Sequence, residues 1–262
     1  MSAPGVLARR DGPVAAVLLD RPSSLNAFDL DMADRLAGQL ADLAADEAVR
    51  AVVIGAAGAA FCAGGDLKWA LAHPGGAPAA FHQLAGRFHQ AILEIRRMPK
   101  PVVAAVNGVA AGGGLSLALA CDFRVMARSA VLRQAYTASG LSIDGGGTFS
   151  LPRLVGLARA LEIAAFDRPI PSGQALAWGL VTAVADDDRT LPEATAMAAA
   201  LAGGSVHAFA HCKRLLGESF ETPLEAQLER ERAAISACAA HHDGQEGLRA
   251  FAGKRPPRYP AG

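Results

Sequence analysis

Pro99-Lys100-Pro101-Val102-Val103-Ala104-Ala105-Val106-Asn107-Gly108-Val109-Ala110-Ala111-Gly112-Gly113-Gly114 is the stretch on which the fold turns. Val102 to Val106 is an unbroken apolar run of β type, the pattern of a strand covered on both faces. Asn107-Gly108 then marks a turn, and the glycine run leads into a helix over Leu115–Ala120. Pro101 to Cys121 carries no charge and reaches the ~20 residues that could cross a bilayer. Its Asn-Gly and triple-glycine breaks suit a strand, a loop and a helix instead, so no membrane partner is expected.

Strand and helix signals alternate outward from this stretch. Toward the N-terminus, Val14–Leu19 reads as a strand closed by the turn-prone Asp20-Arg21-Pro22-Ser23-Ser24. Asp29 or Asp31 caps a helix whose apolar positions are Met32, Leu36, Leu40 and Leu43, and Ala51–Ile54 is a second buried strand. Phe81, Leu84, Ala85, Phe88, Ala91, Ile92 and Ile95 follow the spacing of a helix with one buried face. Toward the C-terminus come a strand at Phe123–Met126, a glycine-rich loop over Gly140–Thr148 and a helix over Leu151–Phe166. From Leu191 the chain reads as helix almost throughout, including the charged Leu224–Ala239. The expected organisation is an α/β core over 1–190 and a helical region over 191–262. The loop His73–Pro78 is the expected mobile piece.

Composition narrows the function classes. A chain of 262 residues buries about 70% of its unfolded surface on area scaling. At 52% hydrophobic and 19% charged residues, with mean hydropathy +0.23, it is no disordered chain. Lys+Arg 25 against Asp+Glu 25 leaves no net field to hold nucleic acid. Cys62, Cys121, Cys212 and Cys238 form no CxxC pair, which argues against a zinc site or disulfide framework and suits a reducing cytoplasm. Arg9, Arg10 and Asp11 stand where a signal peptide needs its apolar core. His73, His82, His207, His211, His241 and His242 show no metal spacing and are expected on the surface, with no metal bound.

The glycine-rich loops invite a nucleotide site, but the detail fails. No GxGxxG follows the first strand and no GxxxxGK[ST] occurs. Gly140-Leu141-Ser142-Ile143-Asp144 only approaches the GxSxG elbow. What Ala63-Gly64-Gly65 and Gly112-Gly113-Gly114 share is bare backbone, which lets a ligand reach main-chain N–H groups. Two such groups converging, one at a helix N-terminus, would form an oxyanion hole.

Order and spelling add a resemblance. Asp20-Arg21-Pro22…Leu25-Asn26-Ala27, Ala60-Phe61-Cys62-Ala63-Gly64-Gly65-Asp66-Leu67 and the Pro99–Gly114 stretch resemble the crotonase (enoyl-CoA hydratase/isomerase) superfamily. The similarity continues through Leu151-Pro152-Arg153-Leu154-Val155-Gly156 and Trp178-Gly179-Leu180-Val181, to Phe251…Lys254-Arg255-Pro256. It implies an α/β spiral of ββα units, a helical C-terminal region that trimerises (as a homotrimer or a dimer of trimers), and an acyl-CoA thioester substrate. Coenzyme A would enter with the substrate, and no other cofactor is implied. The oxyanion hole falls to the N–H groups of Gly65 and Gly113.

The resemblance also frames the reaction. Hydratases resemble one another in two glutamates, and this chain has Ser116 and Tyr136 at those positions. Asp144 is the remaining carboxylate in the right loop; 1,2-epoxyphenylacetyl-CoA isomerases and dienoyl-CoA isomerases are similar there and carry a working aspartate. One carboxylate can take a proton at one carbon and return it at another, so the expected activity is an isomerisation with Asp144 as acid/base. A hydratase of unusual activity is an alternative. Another resembles 4-chlorobenzoyl-CoA dehalogenases, with Asp144 as nucleophile and His89 as base; those enzymes have aromatic residues where this chain has Gly65. An RNA-binding relative would need a lysine-rich helix, whereas Phe81–Arg97 offers only arginines. Ala63, Tyr136 and His89 are candidate substrate contacts. Lys68, Lys254 and Arg255 resemble positions that meet CoA phosphates, and Asp66 reads as a helix cap.

Overall fold

In the computed structural model, which describes residues 5–259, two sheets share the work of the core. The main sheet runs in the order β1 (Gly5–Asp11), β2 (Val14–Asp20), β3 (Ala51–Ala56), β5 (Val102–Val106), β7 (Phe123–Ala127) and β10 (Ala183–Ala185). β1 pairs antiparallel with β2, and every further neighbour is parallel. The two-residue period of a strand sends Val17, Leu19, Val52, Ile54, Val102, Ala104 and Met126 to one face. Val14, Ala51, Val53, Val103, Ala105 and Val125 point to the other. The first face packs under α1 (Leu30–Ala45) and α3 (Gly76–Arg97), through residues such as Leu36, Leu40, Phe88 and Ile95. The second packs under Ala194, Ala198 and Ala202 of α7 (Thr190–Ala202), spaced one helical turn apart. Double coverage is why these strands read as continuous apolar runs.

The second sheet holds β4 (Ala60–Cys62), β6 (Val109–Ala111), β8 (Val131–Arg133) and β9 (Ile170–Pro171), parallel except for β8 with β9. Each turn of chain gives a strand to the main sheet, a short strand to the second, and then a helix. β3 and β4 precede α2 (Leu67–Ala72) and α3; β5 and β6 precede α4 (Gly113–Ala120); β7 and β8 precede α5 (Gly147–Phe166). This is the ββα spiral that the resemblance implied. After α6 (Ser172–Ala177) and α7, the chain continues through α8 (Val206–Glu218), α9 (Leu224–Ala240) and α10 (His242–Ala252). Lys213 of α8 reaches into the core, donating to Asp122 at 2.8 Å and to the Ile95 carbonyl at 2.8 Å. No helix among the described residues is long and apolar enough to cross a membrane.

Several elements differ from the sequence reading. Asp29, not Asp31, caps α1, accepting the Met32 N–H at 2.9 Å, while Asp31 pairs with Arg35. Gly5–Asp11, read only for a leader, is an edge strand whose outer residues are exposed. The expected mobile loop is short, because α3 starts at Gly76. α4 begins at Gly113 rather than Leu115. α5 is interrupted at Gly156, which has φ 76 and ψ 160.

Candidate active site

Parallel pairing of β4, β6 and β8 places their three carboxyl ends side by side, the edge where open α/β sheets bind ligands. Ala63-Gly64-Gly65 leaves β4, Gly112-Gly113 leaves β6, and Gln134-Ala135-Tyr136 leaves β8. The Gly112 N–H donates to the Arg133 carbonyl at 3.1 Å, tying the second loop to the third. Gly64 has φ +97, and a Cβ there would stand 3.0 Å from the Ala111 carbonyl and 3.2 Å from the Gly113 nitrogen. Only glycine lets the first two loops close to this distance.

The first loop is pinned from behind. The buried Asn26 side chain donates to the carbonyls of Ala57 and Ala60, both at 2.8 Å, and accepts the Arg21 N–H at 2.8 Å. Ala63 N–H donates to the Leu25 carbonyl at 3.0 Å. Phe28 bridges Gly65 in parallel fashion, accepting from Asp66 N–H (2.8 Å) and donating to the Gly64 carbonyl (2.7 Å). In such a bridge the intervening N–H, that of Gly65, points away from Phe28. It donates to no acceptor among the described residues. The Gly113 N–H is at the first helical position of α4, so it has no partner inside the helix and lies at the positive end of its dipole.

The third loop carries the acid. The Tyr136 hydroxyl donates to Asp144 Oδ1 at 2.5 Å. Ser116 Oγ donates to the Asp144 carbonyl at 2.7 Å and lies 3.4 Å from Tyr136 Oη. The same carbonyl accepts the Gly147 N–H at 3.0 Å, closing a turn into α5. Burial, and then the Asp144 charge, push the Tyr136 phenol well above its ordinary value, so it stays a neutral donor. Ala135 sits at φ 56, held by its N–H bond to Asp167 Oδ1 at 2.7 Å. That left-handed backbone is disfavoured for a residue with a Cβ, and it turns Tyr136 toward Asp144. The Cys62 thiol lies behind Gly64, and burial pushes it up to about 12, so it offers no thiolate nucleophile.

The structure therefore gathers Ala63, Gly65, Gly113, Tyr136 and Asp144 around the three loops. His89 is exposed on α3, yet its Nε2 accepts the Gly145 N–H at 3.2 Å, which ties α3 to the loop that carries Asp144. Phe88 carries no motif and was missed. Its ring packs at a 40° tilt against Phe28, with centroids 4.8 Å apart, and approaches both Gly113 and Gly145. At Gly145 (φ +59) a Cβ would fall 2.4 Å from Phe88 Cε1. Asp66 caps α2 through the Trp69 N–H (3.1 Å) and pairs with Arg21 at 3.2 Å. Lys68 is exposed on α2. Lys254 and Arg255 follow α10, where Arg255 makes a two-pronged pair with Glu246 at 2.6 and 2.9 Å; among the described residues no hydrogen bond or ion pair joins either to the three loops. His207, His211, His241 and His242, expected on the surface, stand together at the corner of α8, α9 and α10, where all but His242 are half-buried.

A ββα spiral with bared backbone donors at two adjacent glycine loops is the arrangement the resemblance implied, and the chain belongs to the enoyl-CoA hydratase/isomerase family, whose model matches residues 9–261. It is 34% identical over 255 residues to the 1,2-epoxyphenylacetyl-CoA isomerase of Escherichia coli (strain K12), covering 97% of both chains. Among solved structures, it is similar to an enoyl-CoA hydratase from Polaromonas sp. JS666, with a TM-score of 0.93 and 38% identity over 97% of this chain and 99% of that one. An enoyl-CoA hydratase from Bacillus anthracis gives a TM-score of 0.92 at 30% identity, over 98% of this chain and 100% of that one. Relatives named for isomerisation and for hydration thus lie at similar identity.

Proposed function

We propose that this protein is an enoyl-CoA isomerase that shifts a double bond through an enolate, with Asp144 as its single acid/base. The observation that carries this reading is the bonding of Asp144 itself. Ser116 and Tyr136, at the two positions where hydratases resemble one another in glutamates, are spent on holding the Asp144 backbone and carboxylate. Hydration draws on two carboxylates, one to orient water and one to move its proton; isomerisation needs one.

In this mechanism the thioester carbonyl oxygen accepts from the N–H groups of Gly65 and Gly113. As Asp144 takes a proton from one acyl carbon, the C–H electron pair moves into the chain and negative charge collects on that oxygen. The two donors and the α4 dipole stabilise it. Asp144 then returns the proton to a carbon two positions away, leaving the double bond displaced and the enzyme unchanged. Tyr136 fixes one carboxylate oxygen so that the other faces the acyl chain.

The remaining parts of the reading concern the rest of the substrate and the assembly. Lys68, Lys254 and Arg255 take the CoA phosphates. The chain works in the cytoplasm as a homotrimer or dimer of trimers, a reading supported by the exposed Leu216, Leu224, Leu228, Ile235 and Phe251 of its last helices and by Phe220 in the turn that joins α8 to α9. The dehalogenase alternative is disfavoured because His89 Nε2, which would have to activate water, is already engaged by the Gly145 N–H.

The test is product analysis with 3-enoyl- and 2-enoyl-CoA. Interconversion of the two alkenes with little 3-hydroxyacyl-CoA supports the isomerase. Hydroxyacyl-CoA as the main product from 2-enoyl-CoA would replace it with the hydratase.

A further inference from the structure

The corner where α8 meets α9 holds a group of side chains that the acyl-CoA chemistry does not use. His207 and His211 are one turn apart on α8, so both imidazoles project from one helix face. Cys238 on α9 faces them, and the candidate ligand atoms of all three lie within 4.8 Å of one another. His207 Nε2 is buried without a hydrogen-bond partner among the described residues. A buried polar nitrogen left bare is destabilising, and few groups other than a cation or a water would satisfy it.

We propose that His207, His211 and Cys238 bind one divalent transition-metal ion of the zinc class, clamping α8 to α9. Two imidazole nitrogens and one thiolate form a borderline-to-soft donor set that favours zinc over magnesium or calcium. On binding, the Cys238 thiol proton passes to solvent and a metal–sulfur bond replaces it; no redox step is involved. His241 lies flat against His207, with centroids 3.7 Å apart and planes 2° from parallel, so the ligand ring is already oriented. The i, i+4 spacing of His207 and His211 is present in the sequence, contrary to the expectation that these histidines show no metal spacing; only the third ligand is hidden there, because it comes from another helix 27 positions beyond His211.

The test uses the full chain, stripped with a chelator and kept reduced, and titrated with Zn²⁺ and with Co²⁺ alone. One equivalent should bind per chain, and the cobalt form should show tetrahedral visible bands with a thiolate-to-cobalt charge-transfer band. His211→Ala should weaken binding by about 100-fold or more. Cys238→Ser should abolish the charge-transfer band while leaving the metal-free melting curve close to that of the parent. His242→Ala, in the adjoining His241-His242-Asp243 group, should bind as the parent does. Absence of stoichiometric binding, a cobalt spectrum without the thiolate band, or loss of binding in His242→Ala but not in His211→Ala would overturn the proposal.

Discussion

Tyr136 Oη and Asp144 Oδ1 lie 2.5 Å apart, bringing together two residues separated by a glycine-containing loop. The phenol is half-buried, and Ser116 Oγ is 3.4 Å from its oxygen. Because the phenol stays neutral, the bond is a charge-assisted one from O–H to carboxylate. It fixes the direction of the second Asp144 oxygen without adding a second carboxylate to the site.

Tyr136→Phe keeps the ring and deletes that bond. A hydrogen bond to a charged group contributes ~1.5–3 kcal/mol, so kcat should fall about 10- to 100-fold. KM should change little, since the phenol does not touch the CoA moiety in this mechanism. Steady-state kinetics on a 3-enoyl-CoA reads both quantities.

The raised phenol also links stability to pH. In the unfolded chain Tyr136 ionises near the ordinary 10.0, whereas in the folded chain burial and the Asp144 charge hold its proton to higher pH. Above about pH 10 the unfolded state therefore loses a proton that the folded state keeps, and unfolding is favoured. The contribution is fully present below that pH and is lost as pH rises. Urea unfolding of the parent should weaken more steeply between neutral and strongly alkaline pH than that of Tyr136→Phe, a comparison in which the other titrating groups cancel.

Much of this site was legible in the sequence. Val102–Val106 and Ala51–Ile54 announced the main sheet because double burial leaves continuous apolar runs, and the glycines at 64–65 and 112–114 marked where backbone would be bared. β4, β6 and β8 were not legible: each has three residues, too short for any periodicity, although their parallel pairing is what aligns the loops. Phe88 was hidden for another reason. Its position in the α3 stripe looks like ordinary core, and only the folded chain brings Gly113 and Gly145 onto its ring. The pairing of Tyr136 with Asp144 likewise depends on Ala135 adopting a left-handed backbone that no local signal demands.

Gly113→Pro separates the donor from the fold. Proline is accepted at the first position of a helix because that N–H is unpaired in any case, and a Cβ at Gly113 meets Phe88 no closer than 3.6 Å. Circular dichroism should therefore resemble the parent. kcat should fall by about two to three orders of magnitude through loss of one oxyanion donor.

Lys213→Met tests the anchor of α8. The Lys213 and Asp122 side chains are 6% and 9% exposed and 2.8 Å apart. Removing one partner strands the other charge in the core, at a cost of about 3–5 kcal/mol. Chemical denaturation should show that loss, while the folded fraction retains its activity.

Proton exchange tests the role of Asp144 most directly. Asp144→Asn preserves shape but cannot carry a proton as a carboxylate does. Parent, Asp144→Asn and His89→Ala enzymes are incubated with enoyl-CoA in deuterated water, and deuterium entering the α- and γ-carbons is followed by mass spectrometry. Asp144→Asn should bind acyl-CoA yet lose both isomerisation and exchange, whereas His89→Ala should retain both. Exchange at the parental rate in Asp144→Asn would mean that another group moves the proton, and would contradict the assignment of Asp144 as the acid/base.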